Sequence, residues 1–265
     1  MKPLSITLVQ PKPHWEDAVK NIKLYTKLLS GLKKGSTDLI VLPEMFSTGF
    51  SMKPSLLAEK MNGFTMQWMR DTAAALKTVI CGSLIIEEKN KYFNRFIWMQ
   101  PNGEYQQYDK RHLFRMGGEE KIYTAGKKKI VISYKGWNIC PFICYDLRFP
   151  VWSRNKTNES GSVDYDLAIY IASWPAVRSF PWQQLLVARA IENQAYIVGV
   201  NRVGEDGNGM MHDGHSTILD MLGTPVINMK PKKQAITTIT LNKESLVKFR
   251  KKFPASKDAD DFKII

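Results

Sequence analysis

Three places in this sequence set a reactive side chain just where a strand reads as ending. The carboxylate of Glu44 follows the run 39–42 and the rigid Pro43. Lys110 lies in the charged stretch Asp109-Lys110-Arg111-His112, which leads into Leu113 and Phe114. Cys144 closes the run 137–143 and precedes Tyr145-Asp146-Leu147-Arg148-Phe149-Pro150. A thiol attacks a carbonyl or nitrile carbon as the thiolate, so it needs a proton acceptor and a nearby cation. Glu44 fits the acceptor and Lys110 the cation; Lys110 and the Tyr145 backbone N–H also fit as donors to an oxyanion. Taken singly, each residue has an ordinary explanation: a solvated glutamate, a lysine facing water, an inert buried cysteine. Together they fit one reaction.

These positions make sense only if strands deliver them to a common edge, because catalytic groups gather where strands end and loops converge. The hydrophobic pattern supplies such strands. Leu4, Ile6 and Leu8 alternate with small polar residues until Pro11 and Pro13 stop the run. A helix is expected over 15–32, a buried strand over 39–42, a helix over 61–76, and a strand pair over 79–86 and 92–99. Further strands are expected at 105–108, and at 130–134 with 137–143 as a hairpin turning at Lys135-Gly136. The second half reads as strand 167–172, helix 181–193, strands 196–201, 216–219 and 235–241, and a helix at 243–251. No linker, repeat or low-complexity segment interrupts this pattern. The mixture of βα units and hairpins predicts a single α/β domain over 1–265, with two mixed sheets face to face and helices outside.

Composition narrows the function classes. The 265 residues are 44% hydrophobic and 24% charged, which excludes disordered, collagen-like and fibrous proteins. A chain of this length buries roughly three quarters of its unfolded surface and needs no staples. No apolar run approaches the length of a membrane span, and the start is too short and polar for a signal-peptide core. A cytoplasmic location is the expectation. The three cysteines include no CxxC pair; Cys140 and Cys144, in one extended run, would lie about 13 Å apart, too far for a disulfide. The net charge of +13 raises a nucleic-acid-binding alternative, carried by 127–129, Lys230 with Lys232-Lys233, and 250–252. These clusters lack interleaved aromatics and read better as solvated faces. There is no GxSxG, Walker loop, HExxH or GxGxxG. His212-Asp213-Gly214-His215 lacks a third ligand nearby, so hydrogen bonding within a loop is expected there rather than metal binding.

The ordered set Pro43-Glu44, then 109–114, then 144–150 resembles the nitrilase, or carbon–nitrogen hydrolase, superfamily. Ser173-Trp174-Pro175, 189–194, 201–204 and Gly214-His215-Ser216 extend the resemblance to about residue 241. It implies a four-layer αββα sandwich and a Glu-Lys-Cys triad on Glu44, Lys110 and Cys144. It also implies no metal or organic cofactor, and a homodimer to which the segment through Arg148 and Trp152 contributes. Many members carry a second glutamate before the cysteine. Glu119 is the best match, with Glu120 beside it.

Within the superfamily, residues 113–119, 140–143 and 149–155 look most like the bacterial omega-amidases. Those enzymes hydrolyse the terminal amide of 2-oxoglutaramate, succinamate and similar monoamides of dicarboxylic acids. Carbamoylase and nitrilase activities are the alternatives within the superfamily. A substrate with a distal carboxylate calls for a fixed cation, and Arg115, Arg148 and Arg178 are the candidates. Phe46, Phe50 and Trp174 are candidates to shape the aliphatic part of the pocket. Arg148 could instead pair with Asp146 or Glu192 and brace the cysteine loop.

Overall fold

The computed structural model describes residues 2–157 and 163–264. Strands β1 (Leu4–Gln10), β2 (Leu39–Val41), β3 (Val79–Glu88), β4 (Lys91–Met99) and β5 (Tyr105–Asp109) lie side by side in chain order. The first three are parallel and the last two antiparallel. A second six-stranded sheet contains β6 (Ile132–Tyr134), β7 (Trp137–Ile143), β8 (Leu167–Ile171), β9 (Tyr196–Val200), β12 (Thr217–Leu219) and β13 (Pro225–Asn228). Here β7, β8 and β9 are parallel, and the flanking strands antiparallel. A small hairpin joins β10 (Val203–Glu205) to β11 (Met211–Asp213), and β14 (Ala235–Leu241) returns to pair antiparallel with β1.

Alternation along the first sheet sets the layers, because successive strand residues face opposite sides. Leu39 and Val41, Val79 and Cys81, and Phe96 and Trp98 face the second sheet. Their neighbours Ile40, Ile80 and Ile97 pack outward with Ile22 and Tyr25 of α1 (Ala18–Leu29) and Met66 and Met69 of α3 (Phe64–Leu76). A four-residue helix, α2 (Pro54–Leu57), lies between them in sequence. On the far side of the second sheet lies α5 (Ser179–Asn193), and α6 (Lys243–Lys252) follows β14. The result is the expected αββα sandwich. Gly199 is what lets α5 sit close: a Cβ there would meet Leu186 Cδ1 at 2.6 Å and Trp182 at 3.1 Å.

Most expected elements lie within a few residues of their predicted bounds, and the departures have local causes. The first helix begins at Ala18 because Asp17 caps it, its carboxylate accepting from Lys20 N at 2.9 Å. The third begins only after Gly63. Pattern reading missed β10 and β11, three residues each in a Gly-rich stretch, and β13, whose residues are largely exposed. Such strands carry too few alternations to register. Cys144 does not continue β7 on the face of Cys140; it turns off the strand with φ +44°, and all three cysteines are free. None of the described helices is long and apolar enough to cross a membrane.

Candidate active site

The ends of β2, β5, β7 and β8 meet at one edge of the sandwich, and four side chains converge there. Glu44 follows β2 in a turn where Met45 has φ +43° and its N–H donates to Ser83 Oγ at 2.8 Å. Lys110 follows β5, pinned by its N–H to Asn94 O at 3.0 Å and by Gly126 N to its own carbonyl at 2.8 Å. Only glycine fits at 126, since a Cβ would lie 2.0 Å from Asp109 O. Glu119 stands in a 3₁₀ turn, Glu119–Lys121, after the left-handed Gly118. Cys144 opens the 3₁₀ turn Cys144–Arg148, in a left-handed conformation that a non-glycine residue adopts only when its surroundings impose it.

Asp146 imposes it. This fully buried carboxylate accepts from Ile143 N at 3.0 Å, His112 N at 3.0 Å and Tyr108 OH at 2.7 Å, and lies 2.8 Å from His112 Nδ1. One side chain thus ties the cysteine turn to the segment that carries Lys110. The brace expected of Arg148 falls to other residues. Arg189 donates to Leu147 O at 2.6 Å and pairs with Glu192 at 2.9 Å, while Arg148 pairs with neither Asp146 nor Glu192. Trp152, expected near an interface, is turned inward and donates to Tyr108 OH at 3.0 Å.

The charged centre is almost dry. Lys110 Nζ donates to Glu44 Oε1 and to Glu119 Oε2, each at 2.8 Å, and all three side chains are fully buried. Asn94 donates to Glu44 Oε1 at 2.8 Å, and the Ser173 N–H to Glu44 Oε2 at 2.9 Å. Glu119 also accepts from Phe114 N at 2.7 Å. Glu120 makes no such contact with Lys110, so of the two glutamates it is Glu119 that enters the cluster. Burial works against the Lys110 charge, but Glu119 and then Glu44 outweigh it and hold the ammonium above the ordinary lysine range. Burial raises the Glu119 carboxyl, with Lys110 opposing.

Cys144 keeps partial exposure to the cavity, yet burial of its sulfur and then the Glu44 carboxylate push the thiol well above its ordinary range; Lys110 pulls the other way. Burial and the neighbouring Glu44 carboxylate thus favour the neutral thiol of a thiol–carboxylate pair, where a neighbouring cation alone would favour the thiolate. Such a pair suits proton transfer during attack.

A cavity of about 240 Å³ opens onto this centre. Glu44, Lys110, Cys144 and Tyr145 lie at its base, and Phe50, Phe114 and Trp174 form apolar walls. Phe50 covers Lys110, its ring centre 5.1 Å from Nζ. Arg148 and Arg178 line the mouth, each resting on an aromatic ring: Arg148 over Trp174 at 5.0 Å and Arg178 over Phe114 at 5.5 Å. Neither makes an ion pair among the described residues. Two expectations fail here. Arg115 is exposed and outside the cavity lining, because the 3₁₀ turn Arg115–Gly117 directs it to solvent; Phe46 is a core residue, edge-on to Tyr25. His212 and Ser173 also line the cavity, and sequence reading gave neither a place there. The hairpin that carries His212 was the missed one. His215, by contrast, pairs with Asp213 at 3.2 Å, so the two histidines of the His-Asp-Gly-His stretch serve different contacts.

The carbon–nitrogen hydrolase family model matches residues 5–251, and the chain belongs to this family. It is 44% identical to the omega-amidase YafV of Yersinia enterocolitica over the whole of both chains. It is 28% identical to the 2-oxoglutaramate amidase of Bacillus subtilis, covering 83% of this chain and 84% of that one. Among solved structures, XC1258 of Xanthomonas campestris, a CN-hydrolase superfamily protein with an arsenic adduct in its active site, superposes with a TM-score of 0.97. It is 42% identical, and the match covers all of both chains.

Proposed function

We propose that this protein is an omega-amidase that hydrolyses the terminal amide of small dicarboxylic acid monoamides, such as 2-oxoglutaramate and succinamate, to the acid and ammonia. The observation that carries the reading is the placement of a thiol, its carboxylate partner and a buried ammonium at the base of a small cavity whose mouth bears two guanidinium groups with no ion-pair partner among the described residues. The base suits amide chemistry, and the mouth suits a distal carboxylate.

In this mechanism Cys144 Sγ attacks the amide carbon while Glu44 takes its proton. Lys110 and the Tyr145 N–H stabilise the oxyanion of the tetrahedral intermediate. Glu44 returns the proton to the nitrogen as the C–N bond breaks, ammonia leaves, and a thioester on Cys144 remains. Water attacks the thioester carbon, giving its proton to Glu44, and the C–S bond breaks as Glu44 reprotonates the sulfur. Glu119 holds Lys110 in place and keeps it charged.

The chain works in this reading as a single hydrolase domain over 1–265, without metal or organic cofactor, in the cytoplasm. A homodimer fits the apolar side chains left exposed along α4 (Pro150–Ser153), the 3₁₀ turn Ala176–Arg178 and α5, notably Val151, Val177, Phe180 and Ile191. The test is an ammonia-release panel of 2-oxoglutaramate, succinamate, glutamine, a simple nitrile and an N-carbamoyl amino acid. Preference for the first two is expected; release from the nitrile alone contradicts the assignment.

A further inference from the structure

Around Cys144 the hydrogen-bond donors and acceptors can be apportioned. The developing oxyanion needs donors, and Lys110 and the Tyr145 N–H are donors. The departing nitrogen of a primary amide carries two N–H groups and needs acceptors. Glu44 is one acceptor, but its Oε1 already receives Lys110 and Asn94 and its Oε2 receives the Ser173 N–H. The question is what else on the Glu44 side of the sulfur can accept.

Ser173 lies two residues past β8; its N–H donates to Glu44 Oε2, and it lines the cavity together with Cys144. It therefore lies beside the proton-transfer pair, where the leaving group must emerge. Its hydroxyl oxygen is 3.3 Å from His212 Nε2. The other ring nitrogen of His212, Nδ1, is 3.0 Å from Met210 O, a carbonyl that can only accept. Nδ1 therefore carries the ring hydrogen, and a neutral imidazole then has a bare Nε2. Burial, with Arg202 next in effect, lowers the His212 pKa to about 4, so the ring is neutral at working pH. The Ser173 hydroxyl spends its one hydrogen on Nε2, and what its oxygen offers the cavity is lone pairs alone.

We infer that Ser173 Oγ accepts a hydrogen bond from the substrate's amide nitrogen and thereby favours amides over esters of the same acid, with His212 as the positioning residue that fixes the hydroxyl's direction. This rests on the amidase reading above and adds to it the group that recognises the leaving nitrogen. An ester has no hydrogen on its leaving oxygen, so it neither gains from this contact nor loses when it is removed.

The experiment compares kcat/KM for succinamate and for monomethyl succinate in the wild type, Ser173→Ala, Ser173→Thr and His212→Phe. Both substrates give the same thioester, so the comparison isolates acylation, the step in which nitrogen or oxygen leaves. Ser173→Ala is expected to lower kcat/KM for succinamate about tenfold, the scale of one hydrogen bond, and to leave the ester within about twofold. Ser173→Thr, which keeps the hydroxyl, restores the amide preference, and His212→Phe loses part of it. Equal losses on both substrates, or none on either, overturn the role of Ser173 while leaving the amidase reading in place. A wild-type protein that cleaves the ester but not succinamate overturns both.

Discussion

The base of the cavity and its mouth are built on opposite principles. At the base, Glu44, Lys110 and Glu119 are fully buried, and each charge is met by an opposite one at 2.8 Å. Each sits within a residue or two of a strand end or a hydrogen-bonded turn. At the mouth, Arg148 and Arg178 rest on Trp174 and Phe114 and make no ion pair among the described residues, and Met116 beside them is 80% exposed. A buried charge without its partner is severely destabilising, so the base must be complete before substrate arrives. Guanidinium groups that are not fully buried keep part of their hydration and can wait for an anion. The contrast assigns bond making to one region and recognition to the other.

Substitutions at the base should therefore lower kcat, and those at the mouth should raise KM. The largest effect belongs to Cys144→Ala, expected to reduce ammonia release by at least about 10⁴-fold with the fold intact, as read by steady-state kinetics and circular dichroism. Glu44→Gln removes the proton shuttle and should cost roughly 10²–10⁴-fold in kcat. Lys110→Met leaves two buried carboxylates without a cation and should also unfold more readily, by about 3–5 kcal/mol in a denaturant titration. Arg178→Leu and Arg148→Leu should raise KM for succinamate about tenfold to a hundredfold while changing kcat little, and leave propionamide unaffected. A fall in kcat equal to the rise in KM would erase the distinction between the two regions.

The sequence announced the base far more clearly than the mouth, and for a physical reason. Glu44 and Cys144 each follow a strand with a strong apolar pattern, and Lys110 stands in a charged motif just past the short strand β5, so the elements that hold them are visible. Glu119 could be narrowed only to a pair, because a 3₁₀ turn has no period to say which neighbour faces inward. The mouth is made of loops, where orientation depends on contacts distant in sequence. Arg115 and Arg178 look equivalent on paper, yet one turns to solvent and the other to the cavity. His212 was read as a loop hydrogen-bonder without a target, since its hairpin is too short to show alternation. The sandwich itself was legible because buried strands such as β8 and β9 are apolar throughout.

Smaller effects sharpen the contrast further. Because burial and Glu44 hold the Cys144 thiol above its ordinary range, thiolate forms only as pH rises past that range. The thiolate absorbance near 240 nm should therefore be the same in the wild type and Cys144→Ala from pH 6 to 8.5; an excess in the wild type at pH 7 would mean a preformed ion pair with Lys110. Arg115→Ala, outside the cavity, should leave kcat/KM for succinamate within about twofold.

The most direct measurement is the mass of the enzyme caught at work. Acid quenching during turnover of succinamate, followed by peptide mapping, should find the succinyl group on the peptide that contains Cys144, and should find none in Cys144→Ala. Ammonia released at the normal rate while that peptide stays unmodified, or a succinyl group carried by a different residue, would contradict the account.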